Sequence, residues 1–325
     1  MAPGVRDTDA SVVRISAIVC THDRAAGLRC TLGSLAKQSL PSGCYEIVVV
    51  DNASSDETRS VVCEEFAHLP NLHYVNEPQL GLSAARNTGG RKATGAYVAY
   101  IDDDAIGPPE WLERILTAFE EVHPTPGTVG GRIEPIWEVP RPIWLPDYCL
   151  PFLTVLDLSP RPMVLPEGQF LVGTNMAFPR DLLESGASFP TELGPVGTRF
   201  GSGEETMLQR HIRAAGYTLY YDPSICVHHV VPESRLTRSW LLRRMYWEGI
   251  SRARQTLYAE CPGILGRLRL IGTGLRKVTS SPRRLAALAS PVDTPDIFRR
   301  KASSCRRLGY LVGMLSLRRR IRDAG

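Results

Sequence analysis

Residues 98–104 read VAYIDDD, a short apolar run that drives straight into three aspartates. A continuous apolar stretch of this length, closed by polar residues, is the pattern of a strand covered on both faces of a parallel sheet. Two earlier stretches share it, ISAIVCT at 15–21 and IVVVD at 47–51. Helical patterns lie between and after them. Residues 24–38 space Leu28, Leu32 and Leu35 along one face, residues 56–68 follow a Ser54–Ser55 capping signal, and residues 111–122 carry Leu112, Ile115, Leu116 and Phe119 just after Pro108–Pro109. The alternation predicts an α/β fold built on a parallel sheet. In such sheets ligands bind beyond the carboxyl ends of the strands, which directs attention to Thr21–Asp23, Asp51–Asn52 and Asp102–Asp104 together.

Outward from this core the pattern changes. Residues 134–166, with EPIWEVPRPIWLPDYCLP, are rich in proline and tryptophan and follow no period, so an ordered surface lobe is expected there. Strands are predicted at 170–178, 218–221 and 225–228, and a helix at 203–215. From Leu236 onward the chain reads as basic helices broken by Pro262, Pro282 and Pro291. Charge is split in the same way. Residues 235–325 hold 21 Lys and Arg against 5 Asp and Glu, about +16, while the preceding residues come to about −12. Each part therefore suits a different partner. The eight cysteines include no CxxC pair and read as buried thiols in a reducing compartment. The first residues, MAPGVRDTDASVV, lack the apolar core of a secretory signal, and no apolar run is long enough to span a membrane.

Four places carry chemistry. Adjacent carboxylates at Asp102–Asp104 repel one another, and Mg²⁺ or Mn²⁺ bound to a diphosphate would offset them; a solvated acidic turn is the plainer alternative. Asp51 ends its strand too early to cap the next helix and is placed to accept a hydrogen bond from a ribose or a base. Glu204–Glu205 open a helix, where the macrodipole alone favours acidic residues, yet a carboxylate there could also take a proton from an attacking hydroxyl. The pair His228–His229 at a strand end offers an imidazole to a metal.

Taken together, SAIVCTHDR, EIVVVDNASSDET, EPQLGLSAARNTGGRKATGAYVAYIDDDA, VGTNMAFPR, GSGEETMLQRHIRAAGY and ICVHHVVPESRLT resemble, in order and spacing, the family 2 glycosyltransferases over residues 15–234. The resemblance implies a GT-A fold, in which a Rossmann-like nucleotide-binding half and an acceptor-binding half share one sheet. It also implies a division into a tail over 1–13, a catalytic domain over 14–235 with halves at about 14–130 and 131–235, and a basic helical extension over 236–325. By the same resemblance Thr21 and Asp23 line the nucleoside pocket, Asp51 reads the base, and Arg86 and Asn87 approach the nucleotide. Asp102 lies near the ribose, Asp103 is secondary and Asp104 holds the metal, Mn²⁺ or Mg²⁺. Gly173 and Asn175 flank the acceptor side. Glu205 is the base, with Glu204 as its neighbour where the family has Glu-Asp, and His228, with His229 as the alternative, joins the metal.

The reaction so implied is a single inverting displacement from a nucleotide sugar, with UDP first and dTDP or GDP as alternatives. The acceptor would be a glycan, a lipid-linked acceptor or a small molecule. The QxxRW motif of processive synthases is missing, since residues 209–213 read QRHIR, so one sugar is expected per event. A binding protein of the same fold without chemistry is the rival reading. A nucleotidyltransferase or a dinucleotide dehydrogenase would carry a glycine-rich loop after the first strand, and CTHDRAAGLR is not one. For the basic extension the readings are packing on the catalytic domain, attachment to an anionic membrane on the cytoplasmic face through LGYLVGMLSL and Arg318–Arg320, and, least, nucleic-acid binding.

Overall fold

The computed structural model describes residues 12–197, 200–260, 262–279, 282–290 and 294–316. Most of the expected tail at 1–13 and the Arg318–Arg320 cluster lie outside these residues. The chain forms two compact units, each assembled from separated stretches. The first holds residues up to Ile136, Thr154–Phe189 and Leu208–Val230; the second holds Trp137–Leu153, Pro190–Met207 and residues from Val231 on.

The first unit is built on nine strands: β1 (Ile15–Thr21), β2 (Tyr45–Asp51), β3 (Leu72–Asn76), β4 (Tyr97–Asp102), β5 (Ala105–Ile106), β6 (Thr128–Trp137), β7 (Met163–Val164), β8 (Met176–Pro179) and β9 (Leu219–Val231). Their order is β3-β2-β1-β4-β8-β6-β9-β5, with β7 on β9. The first four strands in that order are parallel, and β8 joins β4 antiparallel. Alternation along each strand splits the core in two. Ala17, Val19, Ile47, Val49, Ala99 and Ile101 pack in one cluster with α1 (Ala25–Leu35) and α4 (Trp111–Glu121). Ile18, Val48, Val50, Val98 and Tyr100 enter the other, with residues of α3 (Leu82–Lys92), α5 (Arg180–Glu184) and α6 (Glu204–Ala214). Strands covered on both faces are largely apolar, which is why 15–21, 47–51 and 98–102 were readable.

Local differences have local causes. The helix expected at 56–68 is only α2 (Thr58–Ser60) continued by a π turn over Val61–Glu65. The strand expected at 170–178 is a 3₁₀ turn, Gly173–Asn175, followed by β8. The two strands expected at 218–221 and 225–228 are one, β9, which runs through Pro223. Helix α6 crosses the division between the units: Glu204–Met207 count with the second and the remainder with the first.

The second unit is helical: α7 (Arg238–Glu260), α8 (Ile264–Thr279), α9 (Pro282–Ala289) and α10 (Pro295–Ser316). Pro282 opens α9, a position where its missing N–H costs nothing. Helices α7 and α10 pack closely because two glycines face the opposing backbone. A Cβ on Gly249 would lie 1.9 Å from the Arg306 carbonyl oxygen, and one on Gly309 would lie 1.9 Å from that of Tyr246. The stretches 137–153 and 190–207 are held to these helices by aromatic side chains. Trp144 packs edge-on to Phe298 and under Arg238, and Phe200 packs against Trp240 and Arg243. Among the described residues no helix is long and apolar enough to cross a membrane.

Candidate functional site

At the carboxyl ends of β1, β2 and β3 the three following loops are tied to one another by their own side chains. Asp23 Oδ1 accepts hydrogen bonds from the Ser55 and Asp56 amides at 2.6 and 3.3 Å, and Asp56 Oδ2 caps α1 by accepting from the Ala25 amide at 2.9 Å. The Ser55 amide, foremost, holds the Asp23 carboxyl below its usual value. Asn52 donates to the carbonyls of Glu77 and Gln79 and accepts from the Gly81 amide, which fixes the third loop. Asp51 is buried; Oδ1 accepts from the Ser54 amide at 2.9 Å and Oδ2 from the Tyr74 hydroxyl at 2.7 Å. Asp23 and Ala53 have φ of 52° and 59°, a region that non-glycine residues enter at a cost and that recurs at binding sites.

The three aspartates at the end of β4 and in the turn after it separate by strand parity. Asp102 points to the α3 side, where the buried Arg86 guanidinium reaches Oδ1 at 3.3 Å and the Thr174 hydroxyl donates to Oδ2. Arg86 is held by its own contacts: its carbonyl accepts from Tyr100 and its guanidinium lies over the Phe189 ring. Asp103 points to the α1 side and is buried. Arg24 bridges to it at 3.2 Å and to Asp104 Oδ2 at 2.5 Å. Burial pushes the Asp103 carboxyl up to about 7, with Arg24 pulling against that shift and Asp104 and Asp102 adding to it. Burial works against the charge on Arg24, but the two aspartates outweigh it and raise its pKa. The mutual repulsion of the triplet is thus answered by the chain's own arginines.

Asp104 has a second neighbour. Strand β5 pairs with β9 so that Ala105 faces His229 and Ile106 faces His228, and the Val230 amide donates to the Asp104 carbonyl at 2.9 Å. This register brings His229 Nε2 to 3.3 Å from Asp104 Oδ1, in a buried position, while Nδ1 is buried with no hydrogen-bond partner. His228 falls on the other face of β9. Its Nε2 is 3.6 Å from Glu134 Oε2, and Glu134, Cys226 and His228 bring ligand-type atoms within 4.8 Å of one another. The histidine beside Asp104 is therefore His229, and His228 belongs to a different group of side chains.

The remaining candidates fall into place as follows. Thr21 is buried at the end of β1, next to Asp103. Asn87 pairs with the Phe189 backbone in both directions, donating at 2.8 Å and accepting at 2.9 Å. Asn175 is fully buried; it donates to the carbonyls of Arg132 and Ile225 and accepts from the Trp111 indole at 3.0 Å. Both asparagines are spent on the scaffold. Gly173 is buried in the turn that also presents Thr174 to Asp102. Glu204, buried, and Glu205, half-buried, form the first turn of α6 and count with the second unit. Two participants, Arg24 and Thr174, were given no role by the sequence reading, although both lie within stretches it singled out.

Asp104 and His229 supply a carboxylate oxygen and an imidazole nitrogen held together by backbone pairing. That donor set fits Mn²⁺ or Mg²⁺ completed by phosphate oxygens and water, provided that Arg24 yields Asp104 Oδ2.

The model of glycosyl transferase family 2 matches residues 16–186, more than half of the chain. A glucosyl-dolichyl phosphate glucuronosyltransferase of Haloferax volcanii is 27% identical over 253 residues, 76% of this chain and 79% of that one. The succinoglycan biosynthesis protein ExoM of Rhizobium meliloti is 29% identical over 243 residues, 73% of each chain. Among solved structures, the mannosyltransferase PcManGT of Pyrobaculum calidifontis, in complex with GDP-Man and Mn²⁺, aligns with a TM-score of 0.60 at 23% identity, over 95% of this chain and 89% of that one. S. aureus TarS 1–349 with UDP-GlcNAc aligns with a TM-score of 0.54 at 17% identity, over 92% and 91%. The sheet matches GT-A glycosyltransferase structures.

Proposed function

The chain belongs to glycosyl transferase family 2, and from that premise we propose that it is an inverting, metal-assisted glycosyltransferase that moves one sugar from a nucleotide donor, UDP-linked first, to a hydroxyl of a glycan, a lipid-linked saccharide or a small molecule. The observation that carries the reading is Asp104 in the turn just after β4, with Arg24 and His229 on its two oxygens, beyond the carboxyl ends of the strands where such folds bind ligands. Asp104 and His229 would hold the cation, whose contribution when bound is to stabilise negative charge on the departing diphosphate. Asp51, with the loops clasped by Asp23 and Asn52, forms the rigid floor for the nucleoside. Arg86 and Thr174 fix the Asp102 carboxylate in the orientation that a ribose hydroxyl would meet.

Glu205 is assigned as the base that takes the acceptor proton, which frees the hydroxyl oxygen to attack the anomeric carbon from the face opposite the leaving group. Of the two glutamates it is the more exposed, which favours contact with an incoming acceptor.

The test is hydrolysis or transfer measured across a panel of nucleotide sugars, with and without EDTA. One donor should be turned over only with Mn²⁺ or Mg²⁺, and Asp104→Asn should abolish that activity. Glu205→Gln should keep donor affinity and lower turnover on the order of 10²–10⁴-fold. Full activity of Asp104→Asn, or of the wild type in EDTA, removes the metal from the mechanism, and donor binding without turnover leaves a binding protein. The excess positive charge after residue 235 supports a further part of the reading, reversible attachment to the anionic inner face of a membrane. The full chain should float with anionic liposomes at low salt and be released as salt rises; flotation that is equal with neutral liposomes rules this out.

A further inference from the structure

The second unit contains a cavity of about 690 Å³ that no part of the proposed chemistry uses. Arg283 of α9 and Arg299, Arg300 and Arg306 of α10 line it, and Tyr148 and Phe152 of the 3₁₀ turn Asp147–Leu153 form an aromatic wall. None of the lining residues is acidic, and among the described residues none of these four arginines makes a salt bridge. Like charges gathered around one concave space repel one another unless an anion joins them.

The helix itself makes the gathering. Arg299 and Arg306 lie seven residues apart, two turns along one face of α10, with the small side chains of Ala302 and Ser303 between them, so the space is left open. Arg299 is held over the Tyr148 ring, 5.8 Å from its centroid. Arg306 is half-buried, and burial, with Arg252 nearby, holds its guanidinium below its usual pKa against the opposing pull of Glu248. A half-buried guanidinium without a salt bridge of its own, beside a Glu248 already paired with Arg244 and Arg252, is a strong donor to an oxyanion. Arginine's planar fork matches the geometry of phosphate oxygens. Tyr148, Pro151, Phe152 and Met245 beside it offer an apolar surface that a free ion would leave unused.

We infer that this cavity is a binding site for a phosphate group carried on an apolar chain, with the four arginines on the phosphate and Tyr148 and Phe152 along the chain. The inference concerns the second unit alone and does not depend on the transferase reading.

The test uses the full-length protein in EDTA with no sugar nucleotide present, so that success or failure here is independent of donor turnover. Calorimetry compares decyl phosphate, inorganic phosphate and decyl maltoside, each below any micellar concentration. Decyl phosphate should bind at least about tenfold more tightly than inorganic phosphate, because burial of only two methylenes accounts for that factor. Decyl maltoside should not bind measurably. Arg283 and Arg300 are exposed, so the double variant Arg283→Gln/Arg300→Gln should fold, and it should bind decyl phosphate about tenfold or more weakly. Phe152→Ala should weaken decyl phosphate while leaving inorganic phosphate as it was. No binding of decyl phosphate, equal binding by the double variant, or equal affinity for decyl and inorganic phosphate each overturns the proposal.

Discussion

At the scale of the residue, the site turns on a question of parity. His228 and His229 are adjacent, and only the pairing of Ala105 with His229 decides which imidazole meets Asp104. His229→Ala should therefore lower metal-dependent turnover by about 10- to 100-fold, the usual cost of loosening a metal site. His228→Ala should cost clearly less, and a titration of activity against Mn²⁺ separates the two. The reverse order would return the role to His228. The strand-end aspartates were legible because an apolar run announces its own end. The partners of those aspartates were not. Arg86, Arg24 and Thr174 come from 16, 79 and 72 residues away in the chain, and no local pattern records such a meeting. Asn175 shows the opposite limit: its motif marks it as functional, yet all of its hydrogen-bonding capacity in view is committed to Arg132, Ile225 and Trp111.

At the scale of the element, three of the four parallel strands were readable; β3, which is only partly buried, and the irregular pieces were not. Strands buried on both faces show as short, β-branched apolar runs that end in polar residues. The turn at Gly173–Asn175 and the π turn at Val61–Glu65 carry none, because their geometry answers to neighbours and not to propensity. The pair α7 and α10 is a case in between. Its helices were expected from their composition, but their close approach rests on Gly249 and Gly309, which in isolation look like weak points. Gly309→Ala should improve helix propensity and still destabilise the protein, by about 1–3 kcal/mol, because the new methyl meets the Tyr246 carbonyl across the interface. Denaturant unfolding measures this directly. A stability equal to or above wild type would mean that the two helices can part without loss.

At the scale of the molecule, the chain does not resolve into a catalytic piece and a removable tail. Residues 137–153 and 190–207 belong to the same compact unit as α7–α10, and Trp144, Phe152 and Phe200 tie them to it through Phe298, Arg238, Arg244, Trp240 and Arg243. A chain stopped at Ser234 should therefore lose amide-exchange protection in both stretches, as hydrogen exchange by mass spectrometry would report. Protection that survives the truncation would make α7–α10 a true appendage. The aromatic anchoring of Trp144 to Phe298 also sets an order of events during synthesis. A ribosome adds roughly 5–20 residues each second, so the roughly 160 residues from Leu153 to Ser316 occupy on the order of ten to thirty seconds. For most of that interval Trp144 and Phe152 are already made and have no Phe298 or complete α10 to rest on. The nascent chain carries an aromatic segment in waiting, and a chaperone that covers it would protect the chain during those seconds.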